Sequence, residues 1–299
     1  MEKKIDLNGI IPPITTPFEK GDVAHGKLAR NVARLSRSGI RGILVLGSNG
    51  EYPYLSEAEK RAAVKTVVQA TTDDMVVLAG TGCESTPETI RLTRDCADLG
   101  VQAALVVTPC YYGGKMTPAA LENHFVQVAD HAPIPILLYN VPKFTGINID
   151  LTTILKLSGH PNIVGIKDSS GNVAQIGEIL ANVDKEFQVL VGTAGALYAS
   201  LSLGCPGGIL ALANVAPKAC VQIQRLLSEG HRLPARDLQL KMLPVNRAVT
   251  GTYGIAGLKA AMDMVGYFGG KPRPPLMPLD ETARQELKGI LITAGLVSP

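Results

Sequence analysis

The chain has no tryptophan, and aromatic residues make up only 4% of it. A core without large rings is filled by Val, Ile, Leu and Ala, the side chains preferred by parallel strands buried on both faces. No apolar run approaches the ~20 residues of a membrane span. The first residues, Met1-Glu2-Lys3-Lys4-Ile5-Asp6, carry no apolar core of a secretory signal. A cytoplasmic location is therefore expected, or the mitochondrial matrix if a transit peptide has been removed. The five cysteines are odd in number and scattered, with no CxxC pair. That argues against a disulfide framework or a zinc site and fits a reducing compartment. With 29 basic and 26 acidic residues the net charge is +3, too balanced to argue for nucleic acid or a membrane surface.

Several site types are missing as well. The five histidines (His25, His124, His131, His160, His231) stand apart, with no HExxH. They are expected at the surface or at helix ends, and no metal is expected. Gly269-Gly270-Lys271 lacks the rest of a P-loop, and Gly80-Thr81-Gly82 lacks the third glycine of a dinucleotide fingerprint. No G-x-S-x-G elbow is present. A pyridoxal phosphate anchor on a lysine would need a phosphate cradle and a pyridinium partner, and neither is evident. No cofactor is expected.

What is present is alternation. Strand-like runs fall near 10–15, 42–47, 75–80, 102–108, 134–139, 162–167, 187–192 and 207–211, with helical patterns between them. Ser56-Glu57-Ala58-Glu59 reads as a capping box before a helix over 60–70. Thr86-Pro87 and Thr117-Pro118 read as N-caps with a first-turn proline for the third and fourth helices. Strands separated by helices imply right-handed βαβ units and a parallel sheet. Eight repeats favour a closed (β/α)8 barrel, an α/β fold of about 250 residues, over an open doubly wound sheet. After about residue 230 the strands stop, and 236–249, 255–265 and 281–293 read as helices. The expected organisation is a barrel over 1–230 and a helical extension over 231–299 packed on it.

Within this frame Lys167 is out of place. It ends the apolar run Ile163-Val164-Gly165-Ile166. A buried unpartnered ammonium is costly, and a lysine held there uncharged is a nucleophile for ketones. The bland alternative is that the strand ends at Ile166 and the side chain reaches water. Tyr139 ends another apolar run, and a phenol beside an amine can shuttle protons to a carbinolamine. Its alternative is a core tyrosine. Gly47-Ser48-Asn49-Gly50-Glu51 is a small polar turn after a strand, and backbone N–H groups in such a turn can hold a carboxylate. Its alternative is an ordinary βα turn. Barrel chemistry gathers at the carboxyl ends of the strands, where Ser48, Thr108, Tyr139, Lys167 and Gly192 all fall.

Taken together, Thr15-Thr16-Pro17-Phe18, Gly47-Ser48-Asn49-Gly50-Glu51, Thr108-Pro109-Cys110-Tyr111-Tyr112, Tyr139-Asn140-Val141-Pro142 and Gly165-Ile166-Lys167-Asp168 resemble the dihydrodipicolinate synthase / N-acetylneuraminate lyase family of Schiff-base aldolases. The motifs span most of the chain in the family's order. The resemblance implies a pyruvate-dependent class I aldolase, a carbon–carbon lyase that needs no cofactor. Lys167 would form the Schiff base and Tyr139 relay protons through the Ser48 hydroxyl. A second tyrosine, from the neighbouring subunit of a tight dimer, falls on Tyr111, with Tyr112 adjacent. Ser48 and Asn49 would hold the keto-acid carboxylate, and Gly192 and Ile209 align with pocket-lining positions. Ser169 would either bind a distal carboxylate or cap the next helix. A homotetramer built as a dimer of dimers is implied.

Within that family, Gly-Ser-Asn-Gly-Glu at 47–51, Gly-Cys-Glu-Ser-Thr at 82–86, Pro-Cys-Tyr-Tyr at 109–112 and Ala-Leu-Ala-Asn-Val at 211–215 are most similar to 4-hydroxy-2-oxoglutarate aldolase. The expected reaction is then cleavage of 4-hydroxy-2-oxoglutarate to pyruvate and glyoxylate. The alternatives are a synthase joining pyruvate to aspartate semialdehyde, a 2-keto-3-deoxy sugar acid aldolase and, least of all, a barrel that only binds a keto acid. One departure argues against the synthase. Its usual arginine after Tyr-Asn-Val-Pro is matched by Phe144, which has no bidentate grip on a carboxylate. Lys143 is the remaining point charge in that loop.

Overall fold

The computed structural model describes residues 5–299. Eight parallel strands form one sheet: β1 (Ile10–Ile11), β2 (Gly42–Val45), β3 (Val76–Gly80), β4 (Ala103–Val107), β5 (Ile136–Asn140), β6 (Ile163–Asp168), β7 (Gln188–Val191) and β8 (Gly207–Ile209). Each pairs with its neighbour in sequence from β2 to β8, and β1 pairs with β8. A parallel bridge from Pro13 to Leu44 closes the ring, with Ile14 N donating to Leu44 O at 2.9 Å. The fold is a (β/α)8 barrel.

Eight helices surround it: α1 (His25–Leu35), α2 (Glu57–Ala70), α3 (Thr86–Asp98), α4 (Pro118–His131), α5 (Leu151–Ser158), α6 (Val173–Asn182), α7 (Leu197–Leu203) and α8 (Pro217–Ser228). The capping box at Ser56 and Glu59 is formed, as is the Thr117 cap of α4. α3 differs from expectation: Ser85 caps it, and the Thr86 hydroxyl turns instead to His124 Nδ1, 2.9 Å away. His124 is itself buried between helices rather than at the surface. Three further helices follow: α9 (Arg232–Arg247), α10 (Gly254–Met264) and α11 (Glu281–Thr293). A π-turn over Ala248–Thr252 links α9 to α10. An antiparallel ribbon, Phe18–Glu19 with Asp22–Val23, was not anticipated; strands of two residues leave no period to read.

Alternate residues of each strand face opposite ways. Ile11, Leu44, Leu78, Leu105, Leu137, Tyr139, Leu190 and Ile209 belong to a cluster that fills the barrel. Residues such as Val77, Val106, Leu138 and Ile166 join the larger core between strands and helices. This alternation decides which polar side chains at the strand ends point inward. Among the described residues, no helix is long and apolar enough to cross a membrane.

Candidate active site

Register brings the two main candidates together. Tyr139 of β5 pairs directly with Lys167 of β6, and Lys167 with Leu190 of β7. All three therefore face the barrel interior. Lys167 is 3% exposed and β6 runs through Asp168, so the strand does not end before the lysine. The Lys167 ammonium lies 4.1 Å from the centroid of the Tyr139 ring. Two lysines are fully buried among the described residues. Lys259 is paired with the Glu51 carboxylate at 2.5 Å, whereas no carboxylate pairs with Lys167. A buried lysine against a ring face, with no carboxylate to pair it, is costly to keep.

The end of β6 is held rigidly from behind. Asp168, on the opposite face, accepts from Ser170 N, Ser170 Oγ, Asn140 Nδ2 and Gln175 Nε2 at 2.5–2.9 Å. Asn140 in turn accepts from Ile149 N at 3.0 Å. Sequence reading passed over Asp168 and Asn140, because a carboxylate after a strand usually marks a solvated turn.

The 47–51 turn follows β2. Gly50 N donates to Gly47 O and Glu51 N to Ser48 O. Leu46 and Glu51 bracket it with left-handed φ values of 57° and 55°. Non-glycine residues hold such angles at a cost of about 1–3 kcal/mol each, which the surroundings must offset. Ser48 Oγ lies 3.5 Å from Tyr139 OH. Asn49 Nδ2, Thr108 Oγ1 and Ser169 Oγ are buried without a hydrogen-bond partner in the protein. Buried polar atoms are rarely left so, and of the seven such side-chain atoms among the described residues these three lie at the carboxyl ends of three different strands, free to bond a polar ligand.

Ser169 does not cap α6; Asn172 does, accepting from Ala174 N and Gln175 N. Instead Ser169 packs on Gly192, where an added Cβ would fall 1.8 Å from Ser169 Oγ. Ile209 is buried in the barrel-filling cluster with Tyr139.

A cleft of about 560 Å3 reaches this group at Ser48 and Thr108 and is lined further by Tyr52, Glu84, Val141 and Phe144; Lys167 and Tyr139 lie beneath its floor and not in its wall. Burial pushes the Tyr52 phenol and the Cys83 and Cys110 thiols above their ordinary values, so they stay protonated. Tyr111 and Tyr112 stand apart from the cluster within one chain. They are 78% and 71% exposed, and their rings meet edge to face at 5.0 Å. Glu84 fixes their loop, its Oε2 accepting from Cys110 N and Tyr111 N at 2.9 and 2.8 Å. That role was missed; a lone glutamate in a loop carries no period or spacing. Lys143 turns away from the cleft, its ammonium donating to Thr250 O at 2.8 Å. Phe144 is 59% exposed at the rim. No group of three His, Cys, Asp or Glu among the described residues is placed to hold a metal.

The family model described as the dihydrodipicolinate synthetase family matches residues 6–294. The chain belongs to this family. A 4-hydroxy-tetrahydrodipicolinate synthase of Methanothrix thermoacetophila is 38% identical over 287 residues, covering 95% of this chain and 96% of that protein. One from Methanococcus maripaludis is 34% identical, covering 97% and 100%. A solved dihydrodipicolinate synthase from Acinetobacter baumannii, complexed with pyruvate, superposes with a TM-score of 0.93 at 31% identity, covering 98% of this chain and all of that one. Like its family, the chain is a pyruvate-dependent class I aldolase, a carbon–carbon lyase.

The expected closeness to 4-hydroxy-2-oxoglutarate aldolase is overturned, since these full-length relatives are named as synthases. The misleading motifs have other work. Glu84 ties down the 110–111 loop, and Asn214 ties the 211–215 turn to Pro13 O at 2.9 Å. Such residues support loops at the carboxyl ends of the strands and say little about which aldehyde is used. Phe144, at the rim of the cleft, likewise does not exclude the synthase.

Proposed function

We propose that this chain joins pyruvate to aspartate semialdehyde, the reaction class of a 4-hydroxy-tetrahydrodipicolinate synthase. The observation that carries the reading is Lys167, buried without a carboxylate partner and facing Tyr139. Lys167 Nζ attacks C2 of pyruvate, and water leaves as the iminium forms. The iminium draws electrons from C3, which loses a proton to give an enamine. C3 then attacks the aldehyde carbon, and the new alkoxide takes up a proton. The aldehyde's own amine displaces Lys167 from C2, closing a ring and releasing the enzyme. One water is released per turnover.

Tyr139 moves the protons, with Ser48 Oγ 3.5 Å from its hydroxyl as the next link. A phenol needs such help near neutral pH. The exposed Tyr111 extends this relay into the neighbouring subunit of a dimer, and two dimers make a homotetramer. Ser48 and Asn49 receive the pyruvate carboxylate. Ser169, with its unpartnered buried hydroxyl, receives a carboxylate of the second substrate.

A second reading has one observation in its favour. The cleft wall includes Phe144, Val141, Ile255 and Leu276 and no arginine; its cation is Lys60, near the Tyr52 ring, and its carboxylate is Glu84, that of Glu51 being buried against Lys259. Such a wall suits a neutral, sugar-derived aldehyde, as in 2-keto-3-deoxy sugar acid aldolases. Borohydride added with pyruvate should fix an adduct on Lys167 and none in Lys167→Ala. Absence of the adduct in the parent chain would end both readings. Faster turnover with aspartate semialdehyde than with glyceraldehyde supports the synthase, and the reverse order supports the second reading.

A further inference from the structure

The turn proposed to receive the pyruvate carboxylate is not held by its own bonds alone. Behind it lies a fully buried ion pair, Glu51 with Lys259, their side chains 1% and 0% exposed. Every donor of the Lys259 ammonium is used. It bonds Glu51 Oε1 at 2.5 Å, Thr16 O at 2.8 Å and Lys271 O at 3.1 Å, and it sits 4.4 Å from the centroid of the Phe18 ring. Glu51 Oε2 accepts from Arg273 N at 2.7 Å. Thr16 closes the circuit, its hydroxyl donating to Gly50 O at 2.7 Å. The segments involved are the turn itself, residues 16–18, α10 and the 271–273 strand of loop.

A buried ion pair is an expensive way to hold two segments together. Apolar side chains of similar volume often serve stability as well or better. Two features of this place call for charge. Glu51 holds a left-handed φ of 55° at the last position of the turn, so a strong directional bond is needed to keep it there. Glu51 is also only two residues from Asn49, so an unneutralised carboxylate there would repel an incoming one.

We propose that Glu51 and Lys259 are positioning residues: the pair clamps the 47–51 turn in the shape that receives a keto-acid carboxylate, and so makes α10 part of the substrate site. The clamp rests on the reading of that turn as the pyruvate cradle. It touches neither Lys167 nor Tyr139, but the turn it holds also carries Ser48, so affinity is read from adduct formation and not from turnover.

The test uses the double variant Glu51→Gln/Lys259→Met, which removes both charges and leaves none buried alone. Thr16→Val removes one bond to the same turn without changing charge. Pyruvate dependence of the borohydride-trapped adduct is measured by mass spectrometry in the full-length protein. The expected result in the folded double variant is full adduct at saturation with half-saturation raised about tenfold or more, the signature of lost ground-state binding. Thr16→Val should raise half-saturation by about threefold, as for one neutral hydrogen bond. Half-saturation unchanged in a folded double variant overturns the clamp. If that variant does not fold, Thr16→Val decides: a rise supports the clamp and parent-like half-saturation overturns it. A parent chain that gives no adduct removes the reading beneath the clamp, and the clamp with it.

Discussion

Gly192→Ala is the sharpest test of how the site is packed. Gly192 follows β7 and its N–H donates to Asp168 O at 2.6 Å. A Cβ there would lie 1.8 Å from Ser169 Oγ, 2.8 Å from Ser169 Cβ and 2.9 Å from Asp168 O. The hydroxyl can rotate away; the Cβ and the carbonyl cannot without moving the end of β6. Overpacking of this kind costs about 1–3 kcal/mol. Alanine returns about 0.4–1 kcal/mol by restricting the unfolded chain. The net loss is on the order of 1–2 kcal/mol, which lowers Tm by about 2–8 °C in a domain of this size. Adding Ser169→Gly removes two of the three clashes and should restore part of that Tm, the contact with the Asp168 carbonyl remaining. It should not restore function. If Ser169 Oγ bonds a substrate carboxylate, its loss costs about 1.5–3 kcal/mol, or roughly 10- to 100-fold in affinity. Thermal unfolding and steady-state KM, measured on Gly192→Ala, Ser169→Gly and the double variant, separate these effects. A parent-like Tm for Gly192→Ala would refute the packing argument. Unchanged KM for both substrates in Ser169→Gly would refute the ligand role.

Two further outcomes follow from the geometry. Tyr111→Phe should lower kcat by about 10²-fold or more, the usual worth of a proton relay, while leaving fold and pyruvate adduct intact; unchanged kcat would remove Tyr111 from the relay. Burial lowers the His124 imidazole from 6.5 to about 4. The unfolded chain therefore takes up this proton first, so stability is full above about pH 6.5 and falls by on the order of 3 kcal/mol towards pH 4. His124→Asn should flatten that part of the stability–pH curve, and an unaltered slope would contradict the assignment.

The barrel was legible because its strands are short apolar runs set between capped helices. Ser56 with Glu59, and Thr117 with Pro118, announce their helices locally. Lys167 and Tyr139 stood out for the same reason: a polar side chain ends an apolar run. The supports were not legible. Glu51 and Lys259 are 208 residues apart, and each alone looks like a surface charge. His124 looked exposed because helical periodicity does not reveal which face a neighbouring helix covers. The aldehyde partner was misread because four short motifs, three of which carry the support residues Glu51, Glu84 and Asn214, were taken as markers of substrate.

The pairing of the first strand with the last has a consequence for how the chain is made. β1 contributes two residues and pairs with β8, with Ile10 beside Gly208. As the chain leaves the ribosome, β2 to β7 can zip onto one another in the order of synthesis. The seam cannot be sewn until residue 209 has emerged, and contacts so distant in sequence form slowly. Until then the nascent sheet is an open curl whose two edges have no partner. A ribosome stalled after β6 has emerged but before that point carries a half-finished ring with its lysine already made and no chamber around it.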